Sequence, residues 1–209
     1  ASGLSLGILG YTHCSIEDIG VLRSIPGITI ISPADSASTI KATLRAIEYN
    51  ESIYMRLTGA VPNPPVYADN FDFTIGKSNV IIDHGNDIAI IACGSMVYNA
   101  LEASKLLKNK QIQTTVIDMH TIKPVDEKAL DKISKDFKLI VTVEEHNVIG
   151  GLGSAVAEYI SGISLSPPLL KIGIEDSYGD AGNYQTLLNE KKLMPHQIFE
   201  LIVTKFHSI

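Results

Sequence analysis

Branched apolar residues cluster in short runs at positions 28–32, 53–57, 88–93, 115–119, 139–144 and 170–174, mostly without polar alternation. A run that is apolar on both faces fits a strand covered by two layers, as in a parallel sheet. Between the runs the spacing lengthens to three and four: Ile40, Leu44 and Ile47, then Ala100, Ala103 and Leu107, then Ile198, Leu201 and Ile202. That period is helical. Strands alternating with helices predict an α/β chain with a mostly parallel sheet.

Boundary residues sharpen this pattern. Ser15, followed three residues later by Asp18, resembles a capping box with a short acid, and Pro26-Gly27 closes the helix it would open. Asp35, after Pro33, reads as the cap of the next helix. Pro62, Pro64 and Pro65 interrupt any regular element between Gly59 and Asp72, and a boundary between two units is expected there. Segments 73–76 and 79–83, with 84–87 as a turn, predict an antiparallel edge before the parallel core begins.

Composition removes several classes of function. The 209 residues are 45% hydrophobic and 19% charged, enough to bury a core, and the net charge of -6 repels a phosphate backbone, so nucleic acid is not an expected partner. Apolar stretches fall short of the roughly 20 residues that cross a bilayer. No charged-then-apolar leader is visible, so a cytoplasmic protein without a membrane partner is expected. Cys14 and Cys93 give neither a disulfide framework nor a zinc spacing, and both are expected to be reduced thiols. The abrupt opening Ala1-Ser-Gly-Leu-Ser-Leu-Gly reads as the start of a fragment.

Two stretches carry candidate chemistry. Residues 7–18 form a glycine-marked loop leading into a helix with Glu17 and Asp18 in its first turn; glycine permits close backbone approach to a ligand, and His13 titrates near neutral pH. A loop histidine bonded to its neighbours is the plain alternative. Residues 143–156 run from a strand through Gly150-Gly151 into a helix, whose first amides make an anion site or whose glycines merely allow close packing. Glu144 and Glu145 diverge as consecutive strand residues, which favours solvated or interface roles over a catalytic pair. Arg56 ends a strand, where α/β folds present ligand-binding groups; a structural ion pair is the equal alternative.

Together these segments resemble the transketolase family, in particular the C-terminal subunit of split transketolases. The resemblance rests on Gly10-Tyr-Thr-His-Cys-Ser-Ile-Glu-Asp18, on Arg23-Ser-Ile-Pro-Gly27, on Ser32-Pro-Ala-Asp35, on Ala92-Cys-Gly-Ser95, on Lys123-Pro124 with Asp126, and on residues 143–156, all in the family's order. It implies that 1–60 are the later part of the pyrimidine-binding domain, 61–72 a linker and 73–209 the transketolase C-terminal domain. It further implies a two-carbon ketol transfer between sugars, with thiamine diphosphate and Mg2+ bound mainly by residues outside this chain. An N-terminal cofactor-binding subunit or domain would complete a homodimer or heterotetramer. Within the chain, the resemblance gives His13 the catalytic role, Thr12 and Arg56 contact with the sugar or sugar-phosphate substrate, and Gly10, Glu17, Asp18, Glu144 and His146 roles in the loop or dimer contact. No metal ligand is expected.

Two departures bear on substrate: Leu9 stands where the family usually has an acid and Tyr11 where it has proline, while Gly59 takes the place of a phosphate-binding arginine. A donor or acceptor other than the ordinary pentose phosphates follows as an expectation. The alternatives are a deoxyxylulose-phosphate synthase, an oxo-acid dehydrogenase beta chain, or a non-catalytic dimerisation or regulatory module.

Overall fold

A computed structural model describes residues 1–59, 61–68 and 70–209. The first unit opens with two 3-10 turns, Gly7–Leu9 and Tyr11–His13, followed by α1 (Asp18–Arg23), β1 (Ile28–Ile31), α2 (Ser36–Ile47) and β2 (Ser52–Met55). β1 and β2 are parallel, with Ile28 opposite Ser52. Asp35 caps α2 as expected: its carboxylate accepts Ser38 N at 2.8 Å, and the Ser38 hydroxyl accepts Asp35 N at 2.9 Å. The Ser15 cap does not form. α1 begins at Asp18 with no side-chain cap, because the Asp18 carboxylate turns toward Arg56.

The described residues of the 61–72 linker form no helix or strand. The second unit comprises β3 (Asn79–Asp83), β4 (Ile88–Ala92), α3 (Met96–Asn109), β5 (Thr114–Asp118), β6 (Thr121–Lys123), α4 (Glu127–Asp136), β7 (Leu139–Asn147), α5 (Leu152–Ile160), β8 (Leu169–Ile174), α6 (Tyr184–Glu190) and α7 (Pro195–Phe206). Its sheet has the order β3-β5-β4-β7-β8 and is parallel except for β3, which pairs antiparallel to β5. The antiparallel edge is therefore 79–83 against β5; residues 73–76 form no strand, and Phe73 is buried with Ile31 and Ala42 of the first unit.

β4 shows why the central runs lacked alternation. All five of its residues are buried; Ile88, Ile90 and Ala92 face one core and Ala89 and Ile91 the other. Both cores extend into the first unit, which contributes Leu4, Cys14 and Ile16 to one and Ile19 and Ile30 to the other. The units are also joined through the backbone, since β6 pairs antiparallel with β1.

Candidate active site and the junction that holds it

β7 is paired to β4 only as far as Val143, opposite Ala92; its last residues, Glu144 to Asn147, overhang the sheet. The first unit roofs this overhang, with Asn147 N donating to Ile16 O at 2.7 Å. Four consecutive polar residues are thereby drawn into the interior, and a buried polar group needs a partner. Glu144 accepts Leu152 N at 2.6 Å and Gly153 N at 2.8 Å at the start of α5. The amides that read as an external anion site are thus filled by the chain's own carboxylate. A Cβ on Gly151 would collide with that carboxylate, so glycine is needed there. Burial pushes the Glu144 carboxyl up to about 7, opposed by these two amides.

Glu145 turns the other way and accepts Leu4 N at 2.5 Å, Tyr184 Oη at 2.6 Å and the Ser95 hydroxyl. Both glutamates are within 2% of full burial, which corrects the expectation of solvated roles. His146 is fully buried, with Nδ1 2.7 Å from Asn147 O and Nε2 receiving Gly20 N at 3.3 Å. Those partners select the neutral tautomer protonated on Nδ1. Burial, aided by the Arg56 charge, holds its pKa down.

Arg56 closes the junction. Its Nε meets Asp18 Oδ2 at 2.9 Å, and Nη2 donates to Ser15 O and Glu145 O, each at 3.0 Å. Tyr54 Oη adds a bond to Asp18 at 2.7 Å. Burial raises the Asp18 carboxyl, but the Arg56 charge and the bonds from Arg56 and Tyr54 outweigh it and hold the group below its usual range. The structure thus gives Arg56 the ion-pair role: the guanidinium is buried and engaged by the chain itself, not presented to a substrate.

The loop carrying His13 lies apart from this interior. Gly10 has φ +84°, a conformation open to glycine, and turns the chain into Tyr11–His13. Thr12 and His13 are exposed, and Thr12 Oγ1 stands 3.0 Å from His13 Nδ1. With Nδ1 engaged, Nε2 is the ring atom left for an external partner, as donor or acceptor according to the tautomer. Glu17 anchors the end of the loop, accepting Ile16 N at 2.8 Å and Tyr178 Oη at 3.1 Å. Leu9 is 56% exposed beside it. Gly59 opens no space, since a Cβ there would lie 2.8 Å from the Ala1 Cβ. A groove of about 520 Å3 at the C-terminal ends of β1 and β2 is lined by Pro33, Ser36, Thr39, Leu57, Thr58 and Asn63, among others. Sequence reasoning missed Glu145 as a hub, together with Tyr54, Ser95, Tyr178 and Tyr184; their partners lie 36 or more residues away in the chain, and no spacing rule reports that.

A parallel α/β core joined by a buried ion pair to a smaller parallel unit, with a histidine loop across the seam, defines a two-unit α/β protein whose site lies at a strand-end face. Residues 1–60 match the family model of the transketolase pyrimidine binding domain, and residues 76–198 that of the transketolase C-terminal domain. The chain belongs to the transketolase family. One of the two subunits of an apulose-4-phosphate transketolase from Phocaeicola vulgatus is 42% identical over 184 residues, covering 88% of this chain and 58% of the relative. A 6-deoxy-6-sulfo-D-fructose transketolase subunit of Clostridium sp. (strain MSTE9) is 37% identical over 180 residues, 86% of this chain and 55% of that protein. A solved split gene transketolase, an inactive beta4 tetramer, superposes with a TM-score of 0.87 at 33% identity, covering 99% of this chain and 65% of that chain. The chain thus spans somewhat more than half the length of these curated relatives.

Proposed function

We propose that this chain is part of a thiamine-diphosphate-dependent transketolase that moves a two-carbon ketol unit from a ketose donor to an aldose acceptor. A cofactor-binding subunit or domain outside these residues holds thiamine diphosphate and Mg2+, and the complete enzyme is a cytoplasmic homodimer or heterotetramer. The observation that carries this reading is the exposed His13 imidazole, held at Nδ1 by Thr12 and free at Nε2 to meet a sugar oxygen. In the bound state His13 hydrogen-bonds the donor sugar and moves a proton at Nε2, while Thr12 fixes the ring. The junction carboxylates do not fit a magnesium diphosphate: Asp18 is engaged by Arg56 and Tyr54, Glu144 by two amides, and Glu145 by three donors. That favours a metal site on the partner, and no catalytic step is assigned to these groups.

The sugar is expected to differ from the ordinary pentose phosphates, because exposed Leu9 presents an apolar surface beside the loop where an acid would offer a charge-assisted hydrogen bond worth about 1.5–3 kcal/mol. The test is the chain assembled with its cofactor-binding partner and assayed with xylulose 5-phosphate, unphosphorylated ketoses and nucleotide-linked sugars. His13→Ala is expected to lower kcat by about 10² to 10⁴ with thiamine diphosphate affinity unchanged. Full turnover in that variant with every donor would remove His13 from the site.

A further inference from the structure

The His13 loop does not stand alone; it lies across residues 178–187 of the second unit. Gly182 N donates to Gly7 O at 3.0 Å, and a Cβ on Gly7 would collide with Leu187. Four residues on, the Tyr11 ring is laid flat on a second glycine: a Cβ built at Gly179 would lie 3.1 Å from Tyr11 Oη and 3.2 Å from its Cε2. Tyr178 meets the same ring edge-on, with centroids 5.6 Å apart and planes at 74°. Lys191 Nζ stands 5.6 Å over the ring while donating to Ser177 O at 3.1 Å. Beyond His13, the Tyr178 hydroxyl bonds Glu17. One strap of the second unit therefore grips the loop on both sides of the histidine.

The grip has a physical purpose. A single 3-10 turn has poor hydrogen-bond geometry and little stability of its own. This one is tied by His13 N to Gly10 O at 3.0 Å and Cys14 N to Tyr11 O at 3.1 Å, directly after a glycine free to swing. A tyrosine ring adds large contact area while immobilising only two side-chain torsions, and edge-to-face and cation–π contacts add to it. We infer that Tyr11 is a positioning residue for His13: its ring, seated on Gly179 between Tyr178 and Lys191, holds the Tyr11–His13 turn in the one shape that aims the imidazole outward. The inference rests on the transketolase reading of His13.

A backbone-stiffening substitution separates this role from direct substrate contact. Tyr11 occupies the first position of its turn, follows Gly10 at ψ 173°, and its N–H takes part in none of the hydrogen bonds among the described residues. Proline fits such a position and pre-sets the helical φ. The Tyr11 hydroxyl is buried without a partner, so its removal leaves no group unsatisfied. In the complete enzyme, Tyr11→Ala is expected to lower kcat about 10- to 100-fold through a displaced imidazole, with the KM for thiamine diphosphate unchanged. Tyr11→Phe and Tyr11→Pro are expected to stay near wild type. Hydrogen exchange of amides 10–14 reads the same effect without turnover: faster in Tyr11→Ala, unchanged in Tyr11→Pro. Wild-type kcat in Tyr11→Ala overturns the inference, and so does a Tyr11→Pro enzyme as slow as Tyr11→Ala, which would mean that the ring itself meets substrate. A wild-type enzyme inactive on every ketose would instead sink the transketolase reading, and the exchange experiment would still decide the positioning claim.

Discussion

In the second unit, α3 sinks Ala100, Ala103 and Leu107 completely into the core; in the first, α2 turns Ile40, Leu44 and Ile47 outward at 62%, 58% and 77% exposure and buries Ser38 and Ala42 instead. Both helices carry the same apolar spacing. The difference lies in what surrounds them: α3 packs against α7 and a sheet covered on both faces, whereas no described element covers the outer face of α2. The second unit is thus held mainly by apolar burial. The first is held to it by borrowed core positions and by a polar junction centred on Arg56. Those two kinds of cohesion respond differently to substitution, temperature and pH.

The sharpest way to break the comparison is Arg56→Ala, which leaves Asp18 buried without its cation. Removing one member of a buried pair typically costs about 3–5 kcal/mol, so urea denaturation should show a loss of that order. Hydrogen exchange should show residues 1–59 losing protection while β4 and β5 keep theirs; equal loss in both units would make the chain a single cooperative block. Leu107→Ala strikes the apolar side and should cost about 2–5 kcal/mol by the same denaturation measurement.

A smaller effect comes from Asp118 at the end of β5. It is fully buried with Tyr67 Oη donating to it at 2.7 Å. Burial raises its pKa to about 8, with the Tyr67 bond opposing and Asp35 adding. Between its ordinary value near 3.9 and about 8, the folded carboxyl keeps a proton that the unfolded one has lost. Its contribution to stability therefore falls as pH rises through that window and levels off above it. Asp118→Asn should flatten the decline in Tm between pH 5 and 8, and an unchanged slope would show that Asp118 does not cause it. The smallest effect is expected for Leu44→Ala, within about 0.5 kcal/mol in this chain, because the side chain is already in water. A loss above 2 kcal/mol would show that the outer face of α2 is covered in solution.

What was legible in the sequence follows from these same forces. The runs at 88–93, 115–119 and 139–144 announced strands because both their faces are buried, and Asp35 announced its helix because capping is local. β6 was not legible: three residues pair with a strand about 90 positions earlier, and no local pattern encodes such a partner. The divergence of Glu144 from Glu145 was legible, but their burial was not, since it depends on β7 overrunning β4. For Arg56 the sequence left a ligand role and an ion pair equally open, and only the position of Asp18 decided between them. His13 was marked by its motif, whereas the strap that grips its loop lies more than 160 residues onward.

The pairing of β6 with β1 has a consequence for cutting and recombining the chain. Proline-rich residues 61–72 look like the natural place to separate two modules, but the strand that completes the first unit's sheet is encoded beyond that cut. A nick in the linker should therefore leave two pieces that stay bound and co-elute on a sizing column. A chimera that imports only residues 1–60 from a relative would have to accept a foreign β6 along its sheet edge. The unit of exchange in this protein is the pair of interleaved halves, and a graft should carry residues 121–123 together with the segment they complete.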